Sequence, residues 1–255
     1  MGLQTVLGLR RQGFFIPYRY AESVPEIAPV YAELEAYLRG HEPALEQVLM
    51  AMEEHADALA ALGGAAPQPR WTQDWFPRLD GAAAYVLARE TPPKRIVEVG
   101  SGHSTRFLAR ALADAGAGAA QVCIDPAPRA QLLDLKVEWR NKILGPGDMA
   151  VFDSSHILMP GTDVDIIVNR ILPRLAKGVR VHVHDVFLPD PYPAHWAWRG
   201  YSEHNALAGW LMGGAYRPIW ASRYAATRMD AGARPAIAAL PWSGAPESSL
   251  WMERA

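Results

Sequence analysis

The sequence predicts a doubly wound α/β fold preceded by a helical extension. From Asp80 onward, short β-branched runs alternate with segments of helical periodicity, as in a parallel sheet covered on both faces. A glycine-containing turn follows the first of these runs. The chain ends in two strand-like segments with no clear helix between them, and such strands should pair antiparallel. We therefore expect a seven-stranded, mostly parallel sheet that ends in an antiparallel C-terminal hairpin.

Residues 1–70 are predicted to form the helical extension and residues 71–255 the α/β domain. Apolar residues recur at helical spacing over Glu26–Arg39 and Pro43–Leu62, and a Gly/Ala/Pro stretch then breaks the pattern. The aromatic segment Trp71–Phe76 either anchors the next helix by packing or forms a wall for a substrate. One predicted helix face carries the stripe Leu45, Val48, Leu49, Met52, Leu59 and Leu62.

Within the α/β domain, each element is predicted from its period and its flanking residues. Helices are expected over 80–90, 105–115 and 165–175. Strands are expected over 95–99, 121–124, 149–152, 179–183, 217–224 and 248–253, with one more supplied by 132–139. The interval between Asp125 and Asp153 is too short for the usual two helices and a strand, so one helix is expected to be lost or shortened.

Composition excludes several classes of function. The chain has 255 residues and a net charge of -2, and it has no basic stripe for nucleic acid and no polybasic membrane anchor. No apolar run approaches the ~20 residues of a membrane span, and Arg10 and Arg11 stand where a signal peptide would be cleaved. The single cysteine, Cys123, is expected in the core and fits a reducing compartment. We expect a cytoplasmic protein that acts on a small molecule and uses its N-terminal helices for any self-association.

The turn after the first predicted strand is the candidate cofactor loop. Gly100 and Gly102 would let the backbone turn tightly against a ligand, and Ser104 or Thr105 could cap the helix that follows. Thr105 also stands where a dinucleotide-binding loop needs its third glycine. Glu98 would face a cationic methionyl group, and Asp125, at the end of the second strand, would accept the ribose hydroxyls. The predicted cofactor-binding residues are Glu98, Gly100, Ser101, Gly102, Ser104, Asp125 and Asp153.

Four motifs carry a resemblance to a known family. They are Glu-Val-Gly-Ser-Gly-His-Ser-Thr from residue 98, Ile-Asp-Pro-x-Pro-Arg from 124, Phe-Asp-Ser-Ser-His from 152 and His-Val-His-Asp-Val-Phe-Leu-Pro from 182. Together they resemble bacterial class I S-adenosylmethionine-dependent methyltransferases, over roughly residues 71–255. The last two motifs are also similar to metal-dependent macrolide sugar O-methyltransferases and to the proteins called cephalosporin hydroxylases.

The resemblance implies a Rossmann-like fold, S-adenosyl-L-methionine as cofactor and methylation of a small-molecule hydroxyl. It also implies catalytic roles for Asp153 and His156, with His156 as the base. A divalent ion, Mg²⁺ or another, would be held by Asp153, His184 and Asp185, although His184 stands where a second acidic ligand is expected. The residues themselves indicate the same kind of site, because carboxylates with imidazoles at one sheet edge could hold a divalent ion.

For several other residues the sequence indicates more than one role or only a general location. Trp196, Trp198 and Tyr201 are expected either to form a substrate lid or to pack beneath a loop. Glu203 and Asn205 could belong to that lid or cap a helix, and His182 is expected in the core. The residues His41, His55, His103 and His195 are expected to be superficial or structural, and Arg140, Asn141 and Lys142 are candidates for an adenine pocket.

Three other classes of protein remain open from the sequence. An NAD-dependent oxidoreductase would share the Asp125 carboxylate, but the missing third glycine and the terminal hairpin disfavour it. A metal-dependent oxygenase or hydrolase could use Asp153, His184 and Asp185 without a nucleoside cofactor. A non-catalytic protein on the same fold would bind S-adenosylmethionine without turnover.

Overall fold

A computed structural model describes residues 2–10, 12–14, 16–25, 27–124 and 144–255 of the chain. In this part of the chain, no helix is both long and apolar enough to cross a membrane. The predicted strand over 132–139, the ribose ligand Asp125 and the adenine-pocket candidates Arg140, Asn141 and Lys142 lie outside the described residues.

The N-terminal region contains four helices: α1 (Gly2–Val6), α2 (Ala32–Arg39), α3 (Glu42–Glu54) and α4 (Ala56–Ala60). The helix predicted from Glu26 begins only at Ala32, and the second predicted helix is divided at His55. The predicted apolar stripe on α3 and α4 is buried, as expected, and belongs to one hydrophobic core with the sheet. The extension therefore packs against the α/β part of the chain.

The α/β part begins with α5 (Arg78–Glu90), β1 (Arg95–Val99), α6 (His103–Asp114) and β2 (Ala120–Ile124). It continues with β3 (Met149–Phe152), α7 (Asp163–Ile166), β4 (Arg180–Val183), α8 (Glu203–Met212) and β5 (Tyr216–Ala221). The last elements are α9 (Ser222–Arg228), α10 (Pro235–Ala238) and β6 (Leu250–Arg254). The predicted boundaries of β1 and β3 are confirmed. β3 is short and wholly apolar, and β1 has three β-branched residues among its five; such runs favour buried strands.

The described residues form a six-stranded mixed sheet in the order β2-β1-β3-β4-β6-β5. The pairs β2-β1, β1-β3 and β3-β4 are parallel. Strand β6 lies antiparallel to both of its neighbours, β4 and β5. The predicted reversal of the last strand is therefore confirmed, whereas a seventh strand is not found among the described residues.

The C-terminal region departs from the predicted hairpin. The strand predicted over 217–224 ends at Ala221, and α9 and α10 then separate it from β6. Periodicity missed these helices because they are short and lie in a segment rich in Ala, Gly and Pro. The helix predicted over 165–175 starts at Asp163, where the Thr162 hydroxyl caps the Asp165 N–H at 3.2 Å. It continues as a π-helical turn, Ile167–Ile171, and a 3-10 turn, Leu172–Arg174.

Parallel pairing brings the carboxyl ends of β1, β3 and β4 to one edge of the sheet. The register aligns Val99 with Phe152 and Phe152 with Val183, so the loops that follow these residues start side by side. Ligands bind at this edge in open α/β sheets, next to the point where the strand order reverses. The glycine loop and the two motifs that begin at residues 152 and 182 therefore meet in one place.

Candidate active site

A cavity of about 850 Å³ opens at the carboxyl edge of the sheet. Its walls are the loops after β1, β3 and β4, the segment before α5, the stretch that leads into α8 and the chain just before β6. Among the predicted site residues, those that line it are Gly100, Ser101, Gly102, Ser104, Asp153, His156, His184 and Asp185. The structure thus brings together most of the residues that the motifs singled out.

The glycine loop is shaped by contact with the neighbouring strand. Gly100 has a φ of 82°, and a Cβ there would lie 2.1 Å from the carbonyl oxygen of Asp153. Gly102 is different, because a Cβ at this position meets nothing within 4 Å. The Thr105 hydroxyl accepts a hydrogen bond from the Gly102 N–H at 2.9 Å and closes the loop at the start of α6. Gly100 therefore serves backbone packing, while Gly102 faces open space.

Glu98 does not line the cavity, which corrects the expectation that its carboxylate meets a cofactor. It is fully buried, and it accepts hydrogen bonds from the Ser104 hydroxyl at 2.5 Å and the Gln121 amide at 3.3 Å. The Cys123 thiol, buried as predicted, also donates to it at 3.3 Å. Burial raises the pKa of Glu98 to about 7. Glu98 thus supports Ser104 from behind.

Four side chains converge at the base of the cavity: Asp153, His156, His184 and Asp185, here called the floor. His156 Nε2 lies 3.2 Å from Asp153 Oδ1 and 3.5 Å from Asp185 Oδ2. His184 Nδ1 lies 3.4 Å from Asp185 Oδ1 and 3.8 Å from Asp153 Oδ1. His156, His184 and Asp185 are buried, whereas the Asp153 side chain is 44% exposed. Asp153 is therefore the floor carboxylate most open to a ligand.

Each floor imidazole has a third carboxylate beside it, from outside the floor. His156 Nδ1 hydrogen-bonds Glu203 Oε2 at 2.9 Å, and His184 Nε2 lies 3.5 Å from Asp80 Oδ2. Glu203 begins α8, but its side chain reaches the floor instead of capping the helix. Asp80 was predicted only as the start of a helix. Its carboxylate accepts the Ser248 and Ser249 N–H groups, so it joins α5 to the chain just before β6.

These carboxylates set the charge of the two floor imidazoles. Burial alone would lower the pKa of His156, but its bonds to Asp153 and Glu203 outweigh burial and raise the pKa well above its usual value. Burial would also lower the pKa of His184, but the carboxylates of Asp185, Asp80 and Asp153 raise it to about 9. The carboxylates of Asp153 and Glu203 therefore favour the protonated form of the His156 ring. A base must be neutral to accept a proton, so these carboxylates oppose the role expected for His156.

Asp153 is correspondingly a stable anion. Partial desolvation in the cavity would raise the pKa of its carboxyl, but the hydrogen bond with His156 and the charge of His184 lower it below the usual range. His156 and Asp185 also adopt left-handed backbone conformations, with φ of 60° and 55°. Such strain in residues other than glycine costs ~1–3 kcal/mol each and clusters at functional sites.

The floor does not form a recognisable metal centre. Within the described residues, no group of three or more His, Cys, Asp or Glu side chains is arranged to hold a metal ion. Asp153 and Asp185 are instead engaged with imidazole nitrogens. The divalent ion predicted at Asp153, His184 and Asp185 thus finds no support in the part of the chain described here.

His182 is a core residue, as predicted. It is fully buried, its Nε2 lies 2.9 Å from the Ser249 hydroxyl, and its ring packs 4.7 Å from that of Trp251. Burial, with the charge of His184, lowers the pKa of His182 to about 3. His182 is therefore neutral, although it lies only two residues from a protonated histidine.

The mouth of the cavity is aromatic and cationic. The rim consists of Trp75, His103, Trp196, Arg199 and Tyr201. Trp75 stacks on His103 with 5.9 Å between ring centroids, so His103 is part of the site and not the superficial or structural residue expected. Trp196 and Tyr201 line the cavity as a lid would, whereas Trp198 is 81% exposed and does not. In the segment Trp71–Phe76, Trp71 and Phe76 are buried anchors, and Trp75 and Phe76 both line the cavity.

Comparison with known proteins gives little beyond this geometry. No protein-family model matches the sequence, and no curated protein matches it. Among solved structures, the chain has a likeness to the SAH-bound Podospora anserina methyltransferase PaMTH1. The two are 16% identical, with a TM-score of 0.40 over 91% of this chain and 100% of that one. So weak a likeness carries no argument about activity.

Proposed function

We propose that this protein is an S-adenosylmethionine-dependent methyltransferase that acts on a hydroxyl group of a small molecule. The observation that carries the proposal is the sheet itself. Its order, β2-β1-β3-β4-β6-β5 with only β6 reversed, is that of the methyltransferase variant of the doubly wound fold. The cavity lies where that variant binds its cofactor, at the carboxyl ends of β1, β3 and β4.

The glycine loop is suited to this cofactor. Ser101, Gly102 and Ser104 line the cavity, and the open space at Gly102 leaves room for a ligand to approach the backbone. Thr105 fills the position of the third dinucleotide-loop glycine, and its hydroxyl closes the loop. A pyrophosphate favours a glycine there for close approach to the helix, so Thr105 supports a sulfonium cofactor over NAD.

The floor supplies what methyl transfer to a hydroxyl requires. S-adenosylmethionine, when bound, supplies an electrophilic methyl group. The acceptor oxygen must be aligned with that group and must lose one proton. Asp153, the exposed carboxylate, can accept a hydrogen bond from the hydroxyl and orient it. His156, next to Asp153, removes the proton when its own ring is neutral.

The raised pKa of His156 makes the proposed reaction dependent on pH. Only neutral imidazole is a base, and the pKa of His156 is raised. Turnover should therefore increase with pH until the His156 pKa is passed. We assign no step to a metal, because the described residues do not fit one.

Production of S-adenosylhomocysteine tests the proposal. The purified protein is incubated with S-adenosylmethionine and a panel of hydroxyl compounds, and a parallel reaction contains NAD. We expect S-adenosylhomocysteine to accumulate with at least one acceptor. Absence of product with every acceptor, together with reduction of NAD, would replace this proposal with an oxidoreductase.

A further inference from the structure

Arg199, on the cavity rim, is held by aromatic rings rather than by a carboxylate. Its guanidinium carbon lies 4.0 Å from the ring centroid of Trp196, 5.4 Å from that of Tyr201 and 5.6 Å from that of Trp198. One terminal nitrogen donates to the Tyr201 hydroxyl at 3.3 Å. Across the described residues, no acidic side chain pairs with Arg199, and its buried Nε has no hydrogen-bond partner.

Several other partly buried arginines in this chain have acidic partners. Arg228 pairs with Asp190, which also binds Arg223, and Arg78 pairs with Glu247. Buried polar groups are normally hydrogen-bonded, and a guanidinium carries five donors in one plane. Stacking on aromatic faces uses the face of that plane and leaves its edge free. The edge of Arg199 is therefore available to a planar acceptor within the cavity.

Arg199 lies near His156, one of the floor residues. The Tyr201 ring lies 4.7 Å from the His156 ring and also contacts Arg199, so one aromatic ring separates the cation from the proposed base. Asp153, the floor carboxylate most open to a ligand, would repel an anion. A ligand that is anionic at one end and bears a hydroxyl at the other would therefore be oriented by both regions, with its anionic end at Arg199.

We propose that Arg199 binds an anionic group, a carboxylate or a phosphate, of the methyl acceptor. This inference rests on the proposed function and narrows its substrate class to hydroxy acids or hydroxylated phosphate esters. Arg is suited to both groups, because its donors match two acceptor oxygens at once. The aromatic rings hold the guanidinium in place before the ligand arrives, which reduces the ordering cost of binding.

Calorimetry with matched ligand pairs tests the inference. The panel contains aromatic, aliphatic and sugar hydroxy acids and hydroxylated phosphate esters, each paired with its neutral amide or alcohol. Titrations use the full chain saturated with S-adenosylhomocysteine, as wild type, Arg199→Met, Arg199→Lys and the control Arg110→Met. Arg110 is remote from the rim and pairs with Asp114 on α6.

We expect at least one acid or phosphate to bind the wild type ~10–100-fold more tightly than its neutral partner, as is typical of a charge-assisted hydrogen bond. Arg199→Met should remove this preference, Arg199→Lys should retain part of it, and Arg110→Met should leave it unchanged. The acid and phosphate members of the panel show which anion is preferred.

The inference is overturned if no anionic ligand is preferred over its neutral partner, or if the preference survives in Arg199→Met. S-adenosylhomocysteine affinity is measured separately in each variant and should be unaffected by Arg199→Met. Failure of the wild type to bind S-adenosylhomocysteine would remove the proposed function. An anion preference that depends on Arg199 in that same protein would still support the anion site.

Discussion

The floor and the rim of the cavity face the same space but are built from opposite chemistry. The floor is ionic, largely buried and held by a further carboxylate behind each imidazole. The rim is aromatic and partly exposed, and its cation Arg199 is fixed by stacking. Asp153, His184 and Asp185 directly follow β3 and β4, and His156 is held beside them by carboxylates. The rim lies on connecting segments, except for His103, which begins α6.

This difference matches the two tasks of the proposed enzyme, which are proton transfer and ligand recognition. Side chains held at strand ends, or by buried carboxylates as His156 is, keep the geometry that proton transfer needs, so the floor is suited to chemistry. Aromatic side chains on connecting segments can adapt to a ligand, so the rim is suited to recognition. Floor substitutions should therefore change kcat, and rim substitutions should change affinity.

The largest effect is expected where the scaffold of the floor is disrupted. In Gly100→Ala, the new Cβ would overlap the Asp153 carbonyl, and its φ of 82° is unfavourable for alanine. We expect a loss of ~3 kcal/mol or more in the free energy of unfolding, measured by denaturant titration. Gly102→Ala is the matched control and should stay within about 1 kcal/mol of wild type. Equal stability of the two variants would contradict the close approach of these loops.

The second-largest effect is expected from substitution of the proposed base, His156. His156→Ala should lower kcat by ~10²–10⁴-fold, the usual loss for a general base, while S-adenosylmethionine affinity stays nearly unchanged. Trp75→Ala, on the rim, should instead raise KM with a smaller change in kcat. Steady-state kinetics of both variants measures the contrast. If His156→Ala keeps near-full turnover, another group must take the proton, and the floor loses its assigned role.

A smaller effect is expected from Glu203, whose carboxylate raises the pKa of the floor residue His156. Glu203→Gln keeps a hydrogen-bonding side chain beside His156 but removes a negative charge that raises the His156 pKa. The His156 pKa should fall, so neutral imidazole should be present at lower pH. We expect the acid limb of the kcat–pH profile to move to lower pH. A lower kcat with an unmoved profile would show that Glu203 acts only as structural support.

Much of this site could be predicted from the sequence because it depends on local patterns. The ends of β1 and β3 follow from β-branched and apolar runs, and strand pairing then places Gly100, Asp153 and His184 together. The role of Asp80 could not be predicted in this way. Its partners His184 and Ser248 are distant in the chain, and the one available sign was a carboxylate on an otherwise apolar helix face.

The charge state of His156 also could not be predicted from the sequence. It depends on Glu203, which a capping motif explained equally well, and on the direction of each carboxylate. Glu98 shows the same limit, because its position beside the glycine loop does not reveal whether its side chain faces the cavity or the core. Sequence spacing places residues at an edge, but it does not determine the partners of their side chains.

The central claim, that the glycine loop holds an adenosylmethionine-type cofactor, is tested most directly by calorimetric titration with S-adenosylhomocysteine. Wild type is compared with Asp125→Ala, the predicted ribose ligand, and with the control Asp57→Ala, an exposed residue of α4. We expect saturable one-to-one binding, weakened by ~1–3 kcal/mol in Asp125→Ala and unchanged in Asp57→Ala. No binding by the wild type, or equal affinity in all three proteins, would contradict the account.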